Sequence, residues 1–318
     1  MSGTPPSENP ATFADGVRLA IGTLSVFPVR PGVVDRRAGG IAMTVAPFVG
    51  VLLGIAGAAV LVAALWLGIT PLPASVLAVA ALALLTRGLH LDGLADLADG
   101  LGSGRPAERA LDIMKRSDIG PFGVVTLVLT LLVQVATLSE VTAAGAGATA
   151  LVTACVAGRL ALTWACRAGV PPARPDGLGA MVAGTVRRGP ALAVTALVLV
   201  ALVALTFPSS VGAFGSPFPV PPPGTGPFSG IEAAAGVTTV SGIQELPSEG
   251  TMAAAGTDLG PSSEVWGPCL AVLAGLLAAW ALRRRAVRRL GGITGDVLGA
   301  LVEIATTTAL LVCSVVIG

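Results

Sequence analysis

Charge is scarce in this chain of 318 residues, because only 12% of them are Asp, Glu, Lys or Arg. Ordinary soluble domains carry about 25% charged residues, so the composition excludes that class. The mean hydropathy is +0.85, and several apolar runs reach the roughly 20 residues that a helix needs to cross a bilayer. These runs lack the period-2 alternation of a transmembrane β-barrel. The composition therefore predicts an all-α, polytopic integral membrane protein.

Several functional motifs are also missing. The chain has no Walker loop, no HExxH and no GxSxG, which argues against an ATPase, a zinc protease and a serine hydrolase. Its four cysteines have no metal-ligand spacing and stand in or near apolar runs, so we expect small buried side chains and no disulfide framework. The first 38 residues lack the compact apolar core of a secretory signal peptide, and no cleaved leader is expected.

The apolar runs predict seven spans, with the N-terminus and three polar connections on one side of the membrane. The spans are placed at 41–68, 72–89, 121–139, 144–168, 190–207, 265–282 and 295–317, and the polar connections at 90–119, 169–189 and 283–294. Of the 19 Lys and Arg residues, 18 then lie on or at the edge of this side, and the exception is Arg159 inside the fourth span. The positive-inside rule makes this side, and the N-terminus, cytoplasmic.

The domain organisation follows from these spans. Residues 1–38 form a cytoplasmic N-terminal segment, and residues 39–207 and 264–318 form the membrane domain. Between its two parts, residues 208–263 are rich in Pro, Gly, Ser and Thr, which predicts a disordered, non-cytoplasmic loop without a catalytic role. Such a protein is expected in the plasma membrane, with the lipid bilayer as a partner. The sequence leaves the oligomeric state open, a homo-oligomer included.

The most informative polar stretch is TRGLHLDGLADLADGLGSG, residues 86–104. It holds the only histidine, His90, and three aspartates, Asp92, Asp96 and Asp99, at i, i+4 and i+7. On a helix this spacing puts all three carboxylates on one face, where like charges repel unless a cation neutralises them. Hard oxygen ligands favour Mg²⁺ or Mn²⁺. The alternative interpretation is a solvated polar turn between two spans.

Other polar residues stand on the same predicted side. Lys115 lies in ERALDIMKRSDIGPFG (108–123), and Arg174 lies in ARPDGLGAM (173–181). Each can bind phosphate, although interfacial anchoring explains the first stretch and a simple turn explains the second. The arginine run 283–289 is typical of a membrane surface that contacts anionic lipids.

Asp296 and Glu303 stand seven residues apart on one face of the last span. Glu303 lies about two turns inside the membrane, where a carboxylate is costly and indicates function. Arg159 is a similar case, although its side chain can also snorkel towards the surface. Acidic residues beside a rim of arginines suggest a site where carboxylates hold a divalent metal, the metal and arginine hold a diphosphate, and a hydroxyl attacks phosphorus.

The polar stretches resemble those of the cobalamin synthase family, adenosylcobinamide-GDP ribazoletransferase. The matching residues are GLHLDGLADLADGLGSG (88–104), ERALDIMKRSDIGPFG (108–123), ARPDGLG (173–179) and GGITGDVLGALVE (291–303), with FPV (27–29) near the start. The resemblance covers most of the chain except its ends and the 208–263 insertion.

The resemblance implies a reaction and a cofactor. Adenosylcobinamide-GDP would react with α-ribazole, or its 5′-phosphate, giving adenosylcobalamin or its phosphate and GMP, and Mg²⁺ would be required. No nucleic-acid partner is expected. On this hypothesis the metal ligands are Asp92, Asp96 and Asp99, and Asp296 and Glu303 complete the metal site or orient the ribazole. His90 is the candidate base, although a carboxylate can serve, and Lys115, Arg159 and Arg174 neutralise phosphate charge.

Two other functions are alternatives to this one: a related membrane enzyme and a membrane transporter. A CDP-alcohol phosphotransferase is a membrane enzyme of the same reaction type, but its DGxxAR core is not matched, since Asp96 and Leu97 occupy the Ala and Arg positions. An ion-coupled transporter would use Glu303 and Arg159. A transporter favours inverted repeats, and none is visible here.

Overall fold

The structure, a computed structural model, describes residues 10–30, 32–210 and 261–317. The predicted loop 208–263 therefore lies largely outside the described residues. Within these ranges every regular element is a helix, apart from two isolated backbone bridges. The helices are α1 (Phe13–Leu24), α2 (Arg36–Trp66), α3 (Pro71–Leu85), α4 (Leu89–Gly102), α5 (Ala107–Ile113), α6 (Pro121–Ala143), α7 (Gly147–Ala165), α8 (Gly177–Val182), α9 (Arg188–Ser210), α10 (Pro261–Leu290) and α11 (Gly295–Ile317).

Six of these helices are long and apolar enough to cross a membrane, namely α2, α6, α7, α9, α10 and α11. They differ in their burial within the protein. In the most apolar 18-residue stretch of α7, 83% of the residues are buried, whereas in that of α9 only 11% are buried. Helix α7 is thus the central helix, while α9 lies at the periphery and presents side chains such as Leu197 and Val200 to the surroundings. The prediction of an all-α, multi-pass membrane protein is confirmed.

The predicted span 72–89 is wrong at its end, because the chain breaks between α3 and α4. The two helices meet at an angle of 87°. Arg87 and Gly88 both have left-handed backbone conformations, with φ of 55° and 66°, and an α-helix cannot continue through two such residues. The Arg87 guanidinium donates to the carbonyl oxygens of Gly22 (2.9 Å) and Ser25 (3.2 Å), which ties the break to the end of α1.

The structure differs from the predicted topology in the number of spans and in the polar connections. With 15 residues, α3 is about 22 Å long, shorter than the roughly 30 Å hydrocarbon core. The number of spans is therefore six, or seven if the bent pair counts as one. Moreover, the segment 90–119, predicted as a polar connection, is mostly helical, because α4 and α5 lie within it. The arginine run 283–289 is also helical, as the last turns of α10.

The loop between α7 and α9 is bonded to the loop between α10 and α11. The amide of Ala173 donates to the carbonyl oxygen of Ile293, and the amide of Ile293 donates to that of Pro171, both at 3.0 Å. A Cβ atom on Gly292 would overlap the backbone atoms of Pro171, Pro172 and Ala173, so only glycine fits there. This pairing places the predicted phosphate-binding loop beside the N-terminus of α11.

Two glycines set the spacing of the central pair, α2 and α7. A Cβ atom on Gly50 would lie 2.6 Å from the carbonyl oxygen of Cys155, and one on Gly54 would lie 2.8 Å from Cα of Val152. Small residues let transmembrane helices approach at backbone contact. The approach is secured by the Thr163 hydroxyl, which donates to the carbonyl oxygen of Met43 at 2.7 Å.

We expect Gly54→Leu to destabilise the protein strongly, because the added side chain must push α2 away from α7. Overpacking of this kind costs about 1–3 kcal/mol or more. The measurement is the melting temperature of the detergent-solubilised protein. Gly189→Leu is the matched control, since a Cβ atom there would meet nothing within 4 Å. Equal melting temperatures for the two variants would contradict this account of the α2–α7 contact.

Candidate active site

A cavity of about 330 Å³ opens where the first residues of α4 and α11 meet the loop that leads into α8. Its polar lining comprises His90, Asp92, Arg174, Asp176, Thr294 and Asp296, and its apolar lining includes Leu24, Met43, Leu162 and Leu298. The free amides at the N-terminus of α11 add partial positive charge to the carboxylates and the guanidinium. Such a mixture can bind an anionic ligand together with a cation.

The cavity depends on the crossing of α4 and α11, which is made at two glycines. A Cβ atom on Gly93 would lie 2.7 Å from the carbonyl oxygen of Asp296, and one on Gly299 would lie 3.2 Å from Cα of His90. Backbone therefore packs directly on backbone at both points. This contact brings the acidic face of α4 next to Asp296 at the start of α11.

The aspartates of α4 become more buried along the helix. Asp92 is exposed, Asp96 is half-buried and Asp99 is buried. The expected helix over these residues is present, as α4. The Asp96 carboxylate lies outside the cavity lining, as does that of Asp99, but it is close enough to those of Asp92, Asp296 and Asp99 for electrostatic repulsion, and the Arg174 guanidinium offsets part of it. The structure thus brings together Asp92, Asp96, Asp296 and Arg174.

Asp99 is directed elsewhere. Its carboxylate accepts hydrogen bonds from the amides of Gly120 (2.7 Å) and Gly123 (2.9 Å), at the start of α6. A Cβ atom on Gly123 would lie 2.5 Å from the Asp99 carboxylate, so this close approach requires glycine. Both oxygens are engaged, and Asp99 does not line the cavity. Its predicted role as a metal ligand stays a prediction, and its observed contacts are those of a helix cap.

The two predicted phosphate-binding residues of the loops differ in position. Arg174 lines the cavity, and its guanidinium also donates to the carbonyl oxygen of Leu111 in α5. That contact fixes the side chain while its other N–H groups stay available to a ligand. Lys115 is exposed after the end of α5 and lies outside the cavity lining.

Arg159 and Glu303 line a second, smaller cavity of about 30 Å³ inside the helix bundle. The Glu303 carboxylate accepts a hydrogen bond from the Gln134 amide at 2.8 Å, and this amide also donates to the Thr307 hydroxyl at 2.9 Å. Arg159 is 4% exposed, and its Nε atom has no partner among the described residues. The structure therefore separates this pair from the larger cavity.

His90 lies between the two cavities. It lines the larger one and interacts electrostatically with Arg159 of the smaller one. The imidazole is 2% exposed, and neither of its nitrogens has a hydrogen-bond partner in the part of the chain that the structure describes. Burial and the nearby Arg159 guanidinium both disfavour the protonated imidazole, so the ring is neutral and one of its nitrogens has a lone pair without a hydrogen-bond partner in this part of the chain.

Sequence reasoning missed two residues of the cavity, Asp176 and Thr294. The Thr294 hydroxyl accepts from the amide of Val297 and donates to the Asp296 carboxylate, both at 3.2 Å. It thus caps α11 and orients Asp296. A Thr three residues before Val297 is a recognisable N-cap signal. Asp176 stands two residues after Arg174 in a turn-forming sequence, and this context by itself indicates only a loop.

The donor set fits a divalent cation that is shared with a substrate. No three His, Cys, Asp or Glu side chains within the described ranges converge into a preformed metal cluster. Mg²⁺, however, is usually held by one or two carboxylates, with water and substrate phosphates as the other ligands. The mutual repulsion of Asp92, Asp96 and Asp296 favours a bound cation beside them.

Comparison with known proteins places the chain in a family. A family model described as cobalamin-5-phosphate synthase matches residues 16–314. An adenosylcobinamide-GDP ribazoletransferase of Frankia casuarinae is 41% identical, over 94% of each chain. Relatives with the same name from Nocardioides and Bradyrhizobium diazoefficiens are 35% and 34% identical, over 93% and 84% of this chain and 97% and 80% of theirs. No solved structure matches. With this match over nearly its whole length, the chain belongs to the cobalamin-5-phosphate synthase family.

Proposed function

We propose that this chain is an adenosylcobinamide-GDP ribazoletransferase. It transfers adenosylcobinamide phosphate from adenosylcobinamide-GDP to α-ribazole or its 5′-phosphate, which completes the nucleotide loop of cobalamin and releases GMP. The family match over residues 16–314 supports the reaction. The observation that ties this reaction to the fold is the acidic cavity formed by α4, α11 and the α8 loop.

The chemistry requires three things of such a cavity. A ribose hydroxyl of the ribazole attacks the phosphorus that bears cobinamide, a new P–O bond forms, the P–O bond to GMP breaks, and the hydroxyl proton leaves. The site must therefore neutralise the diphosphate, accept a proton and exclude competing water. A volume of about 330 Å³ suits a nucleotide-sized portion of a ligand, so the corrinoid ring extends beyond the cavity.

We assign the charged residues accordingly. Asp92, Asp96 and Asp296 would hold Mg²⁺, which supplies charge neutralisation of the diphosphate when bound. Arg174 binds a phosphate oxygen beside these carboxylates, held in place by its bond to Leu111.

His90 is the proposed proton acceptor, because it lines the cavity and its buried nitrogens have no hydrogen-bond partner among the described residues. A carboxylate such as Asp176 is the alternative.

The remaining predicted site residues receive indirect roles. Asp99 fixes the start of α6 against α4 through its two amide hydrogen bonds. Arg159 and Glu303 lie in the smaller cavity next to His90, and we propose that they hold α7, α6 and α11 in register beneath the site. Lys115, which is exposed, is available to the part of the large substrate outside the cavity.

The orientation in the membrane is a further part of the proposal. With the bent pair α3–α4 counted as one span, the residues around the acidic cavity and 18 of the 19 Lys and Arg residues fall on the same side of the membrane. By the positive-inside rule this side faces the cytoplasm, and the protein resides in the plasma membrane. The soluble substrates would then reach the site directly from the cytoplasm. The family match favours this enzyme over a CDP-alcohol phosphotransferase or an ion-coupled transporter.

Neutralising a proposed metal ligand should abolish turnover without unfolding the protein. We expect Asp92→Asn or Asp296→Asn to lower kcat/KM by about 100-fold or more, the scale on which a lost transition-state charge contact acts. The assay supplies adenosylcobinamide-GDP and α-ribazole to purified protein in liposomes, with and without Mg²⁺, and follows GMP and the corrinoid product by chromatography. Glu140→Gln removes an exposed carboxylate far from the cavity and should have no effect. Full activity of Asp92→Asn, or turnover that is indifferent to Mg²⁺, would contradict the proposed site.

Asp99→Asn should affect stability more than chemistry. An asparagine can accept only one of the two amide hydrogen bonds, which leaves a buried donor unpaired at a cost of about 1–3 kcal/mol. A clear drop in melting temperature is therefore expected for Asp99→Asn and none for Asp92→Asn. An unchanged melting temperature together with a weakened Mg²⁺ response would instead make Asp99 a metal ligand.

Cysteine labelling tests the orientation. All four native cysteines are buried, so an introduced thiol is labelled over a low background. Ser117→Cys and Ala144→Cys place exposed thiols on the arginine-rich side and in the α6–α7 turn. A membrane-impermeant maleimide added to intact cells should label position 144, and position 117 only after permeabilisation. The reverse pattern would overturn the proposed orientation.

A further inference from the structure

A separate cavity of about 300 Å³ lies at the arginine-rich end of α10, between this helix and α7. Its lining includes Trp164, Arg167, Leu276, Trp280, Arg283 and Leu301, and none of these residues lines the acidic cavity. No carboxylate lines it either. It therefore belongs neither to the metal site nor to the proposed catalytic groups.

The two arginines of this cavity lack a counter-charge. Arg167 and Arg283 are half-buried and close enough to repel each other electrostatically. Among the described residues the only ion pair joins Arg18 and Asp15, and the Nε atom of Arg167 is buried without a hydrogen-bond partner. Two like charges drawn partly out of water are costly unless an anion compensates them. The planar guanidinium groups match phosphate oxygens in particular.

The other walls of the cavity are apolar and aromatic. Leu276 and Ala279 continue along α10 into its membrane-spanning part, opposite Leu301 of α11. Trp280 is 44% exposed, and the Arg284 guanidinium lies 4.8 Å from its ring centre. The Trp164 indole donates to the Thr195 hydroxyl at 3.0 Å, which fixes that wall. Tryptophan side chains of this kind are typical of the boundary between hydrocarbon and headgroups.

We propose that this cavity binds an anionic membrane phospholipid. The phosphate contacts Arg167 and Arg283, and an acyl chain lies along Leu276 and Ala279. Basic pockets between transmembrane helices at a membrane surface bind anionic headgroups in this way. A free phosphate ion would satisfy the arginines but would leave the apolar wall without a ligand. Phospholipid is therefore the occupant that accounts for both halves of the cavity.

Native mass spectrometry of the full chain tests this proposal. The protein is released from mixed micelles that contain phosphatidylglycerol and phosphatidylcholine, and the retained lipids are counted. Wild type should retain phosphatidylglycerol preferentially. In the double variant Arg167→Gln with Arg283→Gln, the ratio of retained phosphatidylglycerol to phosphatidylcholine should fall about tenfold or more. This is the scale of one charge-assisted hydrogen bond. The matched control, Arg285→Gln with Arg288→Gln, removes two exposed charges from the same run and should keep it.

Two further arms separate the sources of the anion. Millimolar inorganic phosphate, or adenosylcobinamide-GDP, should leave the lipid bound, and displacement by either would overturn the assignment to lipid. Equal retention of both lipids by wild type would overturn it as well.

Cross-linking of wild-type protein with a photoreactive phosphatidylglycerol tests the same site without relying on the folding of a variant. Cross-links at residues 164–167 and 276–283 are expected, whereas labelling spread evenly over all exposed spans would contradict the proposed site.

Discussion

The backbone contact between α4 and α11 is the constraint on which the site depends. Gly93 and Gly299 remove the side chains that would hold the helices apart, and the 87° break after α3 gives α4 the direction it needs to reach α11. Without both features the acidic face of α4 would not lie beside Asp296. The pairing of Ile293 with the 171–173 backbone then adds Arg174 to the same cavity. One crossing thus assembles residues that are about 200 positions apart in the chain.

The carboxylates around this crossing differ in how far other protein groups offset their charge. The Asp99 carboxylate accepts hydrogen bonds from two amides at the start of α6, and the Glu303 carboxylate accepts one from Gln134. For Asp92, Asp96 and Asp296, in contrast, the described residues supply only the Arg174 guanidinium and the Thr294 hydroxyl as groups that offset negative charge. In a largely apolar protein the electrostatic cost of that group is high. The stabilised carboxylates hold helices together, whereas the uncompensated ones are those that we propose to bind a cation.

Much of the fold was predictable because a lipid-facing helix has a simple signal. The long apolar runs predicted α2, α6, α7, α9, α10 and α11 to within a few residues for most ends. The break at Arg87 and Gly88 was not predictable, since hydropathy does not report backbone dihedral angles. Helix α5 was missed, because the charged residues of 90–119 made this segment look like a polar connection. The helical spacing of Asp92, Asp96 and Asp99 did predict a helix locally, and α4 confirms it.

The sequence by itself determined the membrane class, the family and most of the charged groups of the site. Those properties reside in composition, in charge asymmetry and in short motifs, all of which are local. Tertiary structure alone decided how the charges are distributed. Asp99 turns to α6, Arg159 and Glu303 lie in a cavity of their own, and Asp176 and Thr294 join the acidic cavity. Which carboxylate meets an amide and which stays free depends on distances between distant segments, and the glycine contacts that set those distances form only when the helices pack.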